Sequence, residues 1–310
     1  MTPDWYLARP MPVAATTSDR ALADLPLRLS WYLTGRHDPT TRLGPGAFAR
    51  AMWTPDGPAT VLATWSGGTF GSRAWGPGAD HARSAVAAMA ALDGRAAPLP
   101  PVHPLVTESA RRHPGLWAGA SGDLYHALLP TVIEQRITSG EAKRQWRALC
   151  AALGETAPGP ALGLRLPPRP ELLAGRPAWW FHPLGIEAKR AKALTAVAAV
   201  AHRLWDWARL PPAEVAGRLA LIRGVGPWTI GSVLGPVCGD EDAVAVGDYH
   251  LPDIVAWNLA GEARADDARM LALLEPYRGQ RGRVIRLLSV LGRRAPAFGP
   301  RGRILPMHRW

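Results

Sequence analysis

The chain has 310 residues, 47% of them hydrophobic and 20% charged. That composition excludes wholesale disorder and gives room for two domains of about 100–200 residues each. A net charge of +11 points to an anionic polymer or surface as partner and says nothing about fold, while two cysteines, Cys150 and Cys238, cannot form a four-thiolate zinc or iron–sulfur site.

The charge is uneven. Residues 1–100 hold nine basic and seven acidic side chains, residues 101–310 hold 27 and 18, and Tyr277–Trp310 carries nine arginines and no acid. A composition rich in Ala, Arg, Gly and Pro accounts for part of the arginine count, which weakens it as evidence for binding. The amino terminus, MTPDWYLARP, lacks an apolar signal core, and no run of 18 apolar residues occurs. With a lone disulfide unneeded, the expectation is a soluble, cytoplasmic protein.

In chain order, Leu25, Leu27, Leu29, Trp31 and Leu33 fall on alternate positions, and that period of two predicts a half-buried strand over 25–33. Further strands are predicted at 47–53 and 59–66. Ser66-Gly67-Gly68-Thr69 then turns into FGSRAWG as a hairpin. The Ala-rich stretch from Asp80 predicts a helix closing on Gly94. Residues 1–100 thus read as a small α+β domain, an antiparallel sheet with a helix, and Pro98-Leu99-Pro100-Pro101 is the best linker.

Beyond the linker the chain reads as mainly α-helical. Helices are predicted at about 123–136, 139–153 and 186–204, and another opens at Pro211-Pro212-Ala213-Glu214, with proline in its first turn. Residues 155–170 are a Pro/Gly-rich connection. The core spans 101–293, and 294–310 reads as a basic C-terminal tail. Of the arginines at 278, 281, 283 and 286, which cannot all share one helix face, about half are expected to touch an anionic partner.

The most informative run is Leu219 to Val233, in which two helices flank Gly224-Val225-Gly226 and the second begins at Pro227. Glycines two apart permit a sharp turn and close approach of an anion. The N–H groups at the new helix's start then form a phosphate seat; the plainer reading is a tight helix–turn–helix corner. About twenty residues on, Val246-Gly247-Asp248-Tyr249 places an aspartate after an apolar extended run, where it reads as a helix N-cap, a role compatible with an ionised catalytic carboxylate.

The hairpin with Val246-Gly247-Asp248 resembles the helix-hairpin-helix (HhH-GPD) base-excision DNA glycosylases, and within them the 3-methyladenine DNA glycosylase II branch. The likeness covers about 105–292. It includes Ile133-Glu134-Gln135-Arg136-Ile137-Thr138, Pro170-Glu171-Leu172-Leu173 and Gly185-Ile186-Glu187-Ala188-Lys189, and the α+β piece is similar to the extra domain that precedes the core in that branch. The resemblance implies a monofunctional enzyme that everts an alkylated purine, of the 3-methyladenine or 7-methylguanine type, and hydrolyses its N-glycosidic bond in base excision repair. Trp228 stands where bifunctional members carry the Schiff-base lysine.

The same resemblance makes Asp248 the catalytic residue, facing an oxocarbenium-like sugar. Trp228, Tyr249, Tyr277 and Gln135 form the base pocket, with the aromatics offering π faces to a cationic base, although core packing is the plainer role for any one of them. Gly224, Val225, Gly226 and Thr229 grip phosphates. Arg136 or Ile137 fills the gap left by the everted base. The carbonyls of Ala220, Ile222 and Val225 match those that hold a monovalent cation, Na+ or K+, in the family. No cofactor is otherwise required, with neither zinc nor an iron–sulfur cluster. The partner is double-stranded DNA containing damaged bases, met by a monomer in a bacterial nucleoid and not at a membrane. His250 and Asp253, three apart, are expected to form a surface hydrogen bond. Two competing readings are a catalytically inactive DNA-binding protein that kept the hairpin, and a glycosylase for hypoxanthine, uracil or an oxidised base.

Overall fold

The computed structural model describes residues 15–16, 22–92, 94, 97–160 and 162–296; most of the predicted C-terminal tail lies outside them. The strands are β1 (Ala15–Thr16), β2 (Thr41–Gly44), β3 (Ala47–Thr54), β4 (Gly57–Ser66) and β5 (Thr69–Trp75), and they form one antiparallel sheet in the order β1-β5-β4-β3-β2. The central pairing aligns Ala49 with Leu62 and Ala63 with Ser72. Gly67 and Gly68, at φ of 52° and 73°, make the predicted hairpin turn.

The stretch read as a strand at 25–33 is helical instead: α1 (Leu25–Leu29) followed by a 3-10 turn over Ser30–Tyr32. Pro26 sits in the first turn, where its missing N–H is harmless, and Leu25, Arg28 and Leu29 are buried at helical spacing. The alternate leucines satisfied both periods, and the proline decided between them. Helix α2 (Ala79–Ala90) ends earlier than predicted, on Ala91 in the left-handed region at φ 44°, and not on Gly94.

The sheet is covered on both faces. Phe48, Met52, Val61 and Ala63 pack under α1 and α2 with Leu25, Leu29, Val86 and Met89. Ala47, Ala49, Ala51 and Leu62 on the other face meet Leu162, Leu164 and Leu166 from the 155–170 connection. That connection is therefore a packing element, reinforced where Trp53 Nε1 donates to the Pro167 carbonyl at 2.8 Å; separately, Trp146 Nε1 on α5 donates to Asp38 Oδ1 at 3.2 Å.

The helical part comprises α3 (Pro104–Arg112), α4 (Leu124–Glu134), α5 (Ser139–Leu153), α6 (Pro170–Ala174), α7 (Ala188–Ala199), α8 (Ala201–Trp207), α9 (Pro212–Leu219), α10 (Pro227–Cys238), α11 (Leu251–Ala260), α12 (Asp267–Leu274) and α13 (Arg281–Val290). The single helix predicted over 186–204 is two, α7 and α8, parted at Val200. Side chains of Asp123 and Thr138 cap α4 and α5. One core gathers Leu128, Trp146, Phe181, Leu194, Val197, Val233 and Val237. A second joins α3, α11, α12 and α13 through Val106, Val255, Met270, Leu274 and Val284. No helix among the described residues is long and apolar enough to cross a membrane.

Candidate active site

The hairpin forms between α9 and α10 as its sequence dictates. Gly224 takes φ +89°, a left-handed conformation that disfavours any side chain, and a Cβ there would stand 2.6 Å from the Ala193 Cβ on α7. Gly226 differs: its φ is −111°, and a Cβ would meet open space. One glycine is demanded by the fold, whereas the other keeps the approach to the start of α10 clear. The Ile222 carbonyl accepts the Val225 amide at 3.0 Å, which leaves it a second lone pair. The Val225 side chain is buried in the core, so only its backbone is available outside.

Gln135, expected in the base pocket, bonds the hairpin through its Nε2. Its Nε2 donates to the Gly224 carbonyl and to Thr229 Oγ1, both at 2.9 Å. Thr229 is 1% exposed, and its hydroxyl accepts from Gln135, so the side chain expected on a phosphate is internal and only its amide heads the helix. The following turn is held from below. Arg190, buried, donates to the Ile133 carbonyl at 2.8 Å and to Gln145 Oε1 at 2.6 Å, fixing the C-terminus of α4. Past that end, Arg136 stands exposed at φ 58°, and Ile137 packs against the main core. Of the two candidates for the gap-filling residue, Arg136 is the one that projects.

Asp248 is reached by a run, 241–248, that threads between α10 and α13. Gly231 and Gly282 allow this, because a Cβ on either would strike the carbonyl oxygens of Val244 and Ala243. The Gly247 amide donates to Asp267 Oδ2 at 3.0 Å, tying the loop to α12. Asp248 Oδ1 accepts from the amides of His250 and Leu251 at 2.7 and 2.9 Å, and Oδ2 accepts the Trp228 indole N–H at 2.8 Å. A carboxylate offers about four lone-pair sites. Both sites of Oδ1 are taken, and one on Oδ2 remains for a water or a developing positive charge. The predicted N-cap position falls instead on His250, and Asp248 holds the turn that leads into α11.

The aromatic expectations divide. Trp228 is half-buried and its indole orients Asp248. Tyr249 is 79% exposed beside it, edge-on to His250 with ring centroids 4.9 Å apart. Tyr277, by contrast, is 1% exposed in the core with Val106, Met270 and Leu274 and offers no face to a base. Burial pushes its phenol up. Asp253 pairs with Arg264 at 3.0 Å and accepts the Ala265 amide, in place of the bond predicted to His250.

Of the four arginines at 278, 281, 283 and 286, three have interior contacts and one forms a surface ion pair. Arg281 chelates Asp242, whose carboxyl is held below its usual range because the Arg281 bonds outweigh the opposing effect of burial. Arg283 is buried, donating to the carbonyls of Leu116 and Ala97, and Arg286 lies 4.0 Å over the Trp31 ring. Arg278 pairs with Glu275 at 2.6 Å. Exposed cations near the hairpin are instead Arg136, Lys189, Lys192 and Arg223. Sequence reasoning also missed Leu221, an apolar side chain 83% exposed on the hairpin turn, although its place within the motif marked it.

A second feature had no sequence signal. A cavity of about 480 Å³ opens between residues 30–36, α4, the start of α5 and α10, where Ser232, Val233 and Pro236 line it. Ser232 follows Trp228 by one helical turn on the same face and donates to its carbonyl at 2.7 Å. On α10 the cavity therefore begins about one helical turn beyond Trp228, which does not itself line it. The volume lies within the range of about 300–1,000 Å³ usual for small-ligand sites.

No family model matches the sequence, and no curated protein does. Solved structures do match. A 3-methyladenine DNA glycosylase from Archaeoglobus fulgidus aligns with a TM-score of 0.68 at 15% identity, over 86% of this chain and 94% of that one. The 8-oxoguanine glycosylase/lyase of Clostridium acetobutylicum, in complex with double-stranded DNA containing cytosine opposite 8-oxoguanine, aligns at 0.57 and 13% identity, over 84% and 90%. Its apo form gives 0.53 at 12%, over 81% and 98%. This chain has the fold of the helix-hairpin-helix DNA glycosylases.

Proposed function

We propose that the protein is a monofunctional DNA glycosylase that everts a damaged base and hydrolyses its N-glycosidic bond. The observation that carries this reading is Asp248, held by the Trp228 indole and two backbone amides a short distance from a glycine hairpin whose outer face is open. A protein that only bound DNA would need the hairpin and the cations, and nothing in that task calls for a fixed carboxylate.

In the reaction, the bond between C1′ and the base nitrogen breaks, and its electron pair leaves with the base. The positive charge left on the sugar faces Asp248, whose remaining Oδ2 lone pair orients a water. Water oxygen bonds to C1′, and its proton passes through the carboxylate to solvent or to the departing base. An abasic site in an intact strand is the product. With Trp228 in the place of a Schiff-base lysine, no covalent enzyme–DNA intermediate forms. The amides heading α10, with Arg136, Lys189, Lys192 and Arg223, hold phosphates, and Tyr249 stacks beside the everted nucleotide. Neutral carbonyl oxygens at Ala220, Ile222 and Val225 suit a weakly held monovalent cation, which would brace the turn.

The resemblance in sequence favours alkylated purines as substrates. The reading is tested by incubating the protein with methylated and with deaminated or oxidised genomic DNA, identifying released bases by mass spectrometry, and trapping with borohydride. Released base with an unbroken strand and no trapped adduct is expected. A borohydride-trapped adduct would assign lyase chemistry instead, and no released base from any substrate would leave only a DNA-binding role.

A further inference from the structure

Asp248 is only as well placed as the loop that carries it. Between residues 244 and 248 the backbone bonds to itself, the Val246 amide to the Val244 carbonyl at 3.0 Å and the Asp248 amide to the Ala245 carbonyl at 3.2 Å. Among the described residues, one backbone hydrogen bond leaves this segment, from the Gly247 amide to Asp267 Oδ2 at 3.0 Å. Gly247 sits at φ +90°, and a Cβ on it would stand 3.9 Å from the Cβ of Trp228. The bond to Asp267 thus falls one residue before Asp248, beside the residue whose indole holds that carboxylate.

The Asp267 carboxylate makes no hydrogen bond within its own helix. Asp266 is the N-cap of α12, accepting the Arg269 amide at 2.8 Å. Asp267 follows in the first turn, where a negative charge favours the helix dipole. Its Oδ1 has no hydrogen-bond partner among the described residues, and its Oδ2 accepts from Gly247. Another aspartate closes a ring. Asp253, in the first turn of α11, accepts the Ala265 amide at 3.0 Å and so fastens the connection that leads into α12. Asp248 holds the start of α11 through the His250 and Leu251 amides, Asp253 holds α11 to that connection, and Asp267 returns from α12 to Gly247.

The geometry points to Asp267 as a positioning residue that acts on base release through Asp248, with Asp253 supporting it from α11. The inference rests on the glycosylase reading above. A carboxylate that stabilises a developing charge works over a narrow range of distance and angle, and a displacement of about 1 Å is enough to cost about 100-fold in rate. Without the Asp267 acceptor the Gly247 amide turns to water, and nothing ties the backbone of 244–248 to α12. The hairpin and the amides heading α10 are untouched by that loss, so it falls on the chemical step and not on binding.

The test compares single-turnover base release with duplex affinity and thermal melting in the full chain, on whichever of methylated, deaminated or oxidised DNA the unmodified protein processes fastest. Asp267→Ala should lower release about 10- to 100-fold while duplex affinity stays within about twofold. Asp267→Asn keeps an oxygen for the Gly247 amide and should stay within about threefold of the original rate. Asp266→Ala removes the helix cap alone, and should lower the melting temperature by about 2–4 °C with release unchanged. In an Asp248→Asn background, adding Asp267→Ala should change release by less than about twofold, because the carboxylate it positions is gone. Release by Asp267→Ala at the original rate, an equal fall in Asp266→Ala, or an undiminished effect beside Asp248→Asn would overturn the inference and leave the glycosylase reading intact. Should Asp267→Ala fail to fold, Asp253→Ala decides: release about fivefold slower with affinity retained supports the clamp, and the original rate overturns it. Release of no base by the unmodified protein would instead remove the reading on which the inference rests.

Discussion

Three residues carry the proposed reaction, and the contacts of each differ from what its position alone implies. Asp248 carries the expectations of helix N-cap and catalyst; the N-cap position is His250, and Asp248 instead accepts the His250 and Leu251 amides on one oxygen while the other keeps one free site beside the Trp228 indole. Trp228 was marked as a π surface, yet its indole N–H is the third group that positions the carboxylate. Gln135 was assigned to the base and instead staples the hairpin to α4. These contacts were illegible because residue type and spacing do not reveal which of several polar atoms a side chain will meet. Trp228→Phe keeps the ring and removes the donor. Hydrogen bonds to charged groups are worth about 1.5–3 kcal/mol, so the rate of base release should fall about 10- to 100-fold with DNA affinity unchanged. A rate equal to that of the unmodified protein in the same single-turnover assay would show that the indole does not orient the carboxylate.

At the scale of elements, boundaries carrying turn or cap chemistry were legible, and those set by packing were not. α5 begins and ends as its sequence states, at Thr138 and Gly154, and α10 starts at its proline. The strand expected at 25–33 is a helix because its leucines fit either period and Pro26 in the first turn settles the choice. Residues 155–170, written off as a connection, cover one face of the sheet. The hairpin glycines give the sharpest test here. Gly224→Ala places a Cβ in a left-handed backbone and against Ala193, and should cost about 2–4 kcal/mol of stability. Gly226→Ala has neither problem and should leave thermal unfolding nearly unchanged while weakening DNA binding, because the new methyl stands where a phosphate approaches. Loss of stability in both variants, measured by thermal denaturation, would mean that the second glycine serves the fold alone.

For the whole molecule, the +11 charge overstates the surface offered to DNA. Arg50, Arg190 and Arg283 are buried, Arg286 pairs with Glu241, and Arg281 is tied to Asp242. A linear count cannot separate a cation that braces the interior, as Arg283 does, from one that faces outward. Binding should therefore be governed by the few exposed cations near the hairpin. Each phosphate contact contributes about 0.9 to the slope of log affinity against log salt on duplex DNA. Replacing Lys189, Lys192 and Arg223 together by alanine should flatten that slope by about 2–3, whereas Arg278→Ala should leave it unchanged. An undiminished slope in the triple variant would place the DNA on another face.

The most direct measurement is single-turnover base release by Asp248→Asn beside duplex binding by the same protein. The amide oxygen can still accept from the His250 and Leu251 N–H groups, so the loop is kept while the negative charge is lost. Release is expected to fall by at least about 1,000-fold, or about 4 kcal/mol of transition-state stabilisation, with affinity for DNA retained. A variant that frees bases at the original rate would contradict the central role given to that carboxylate.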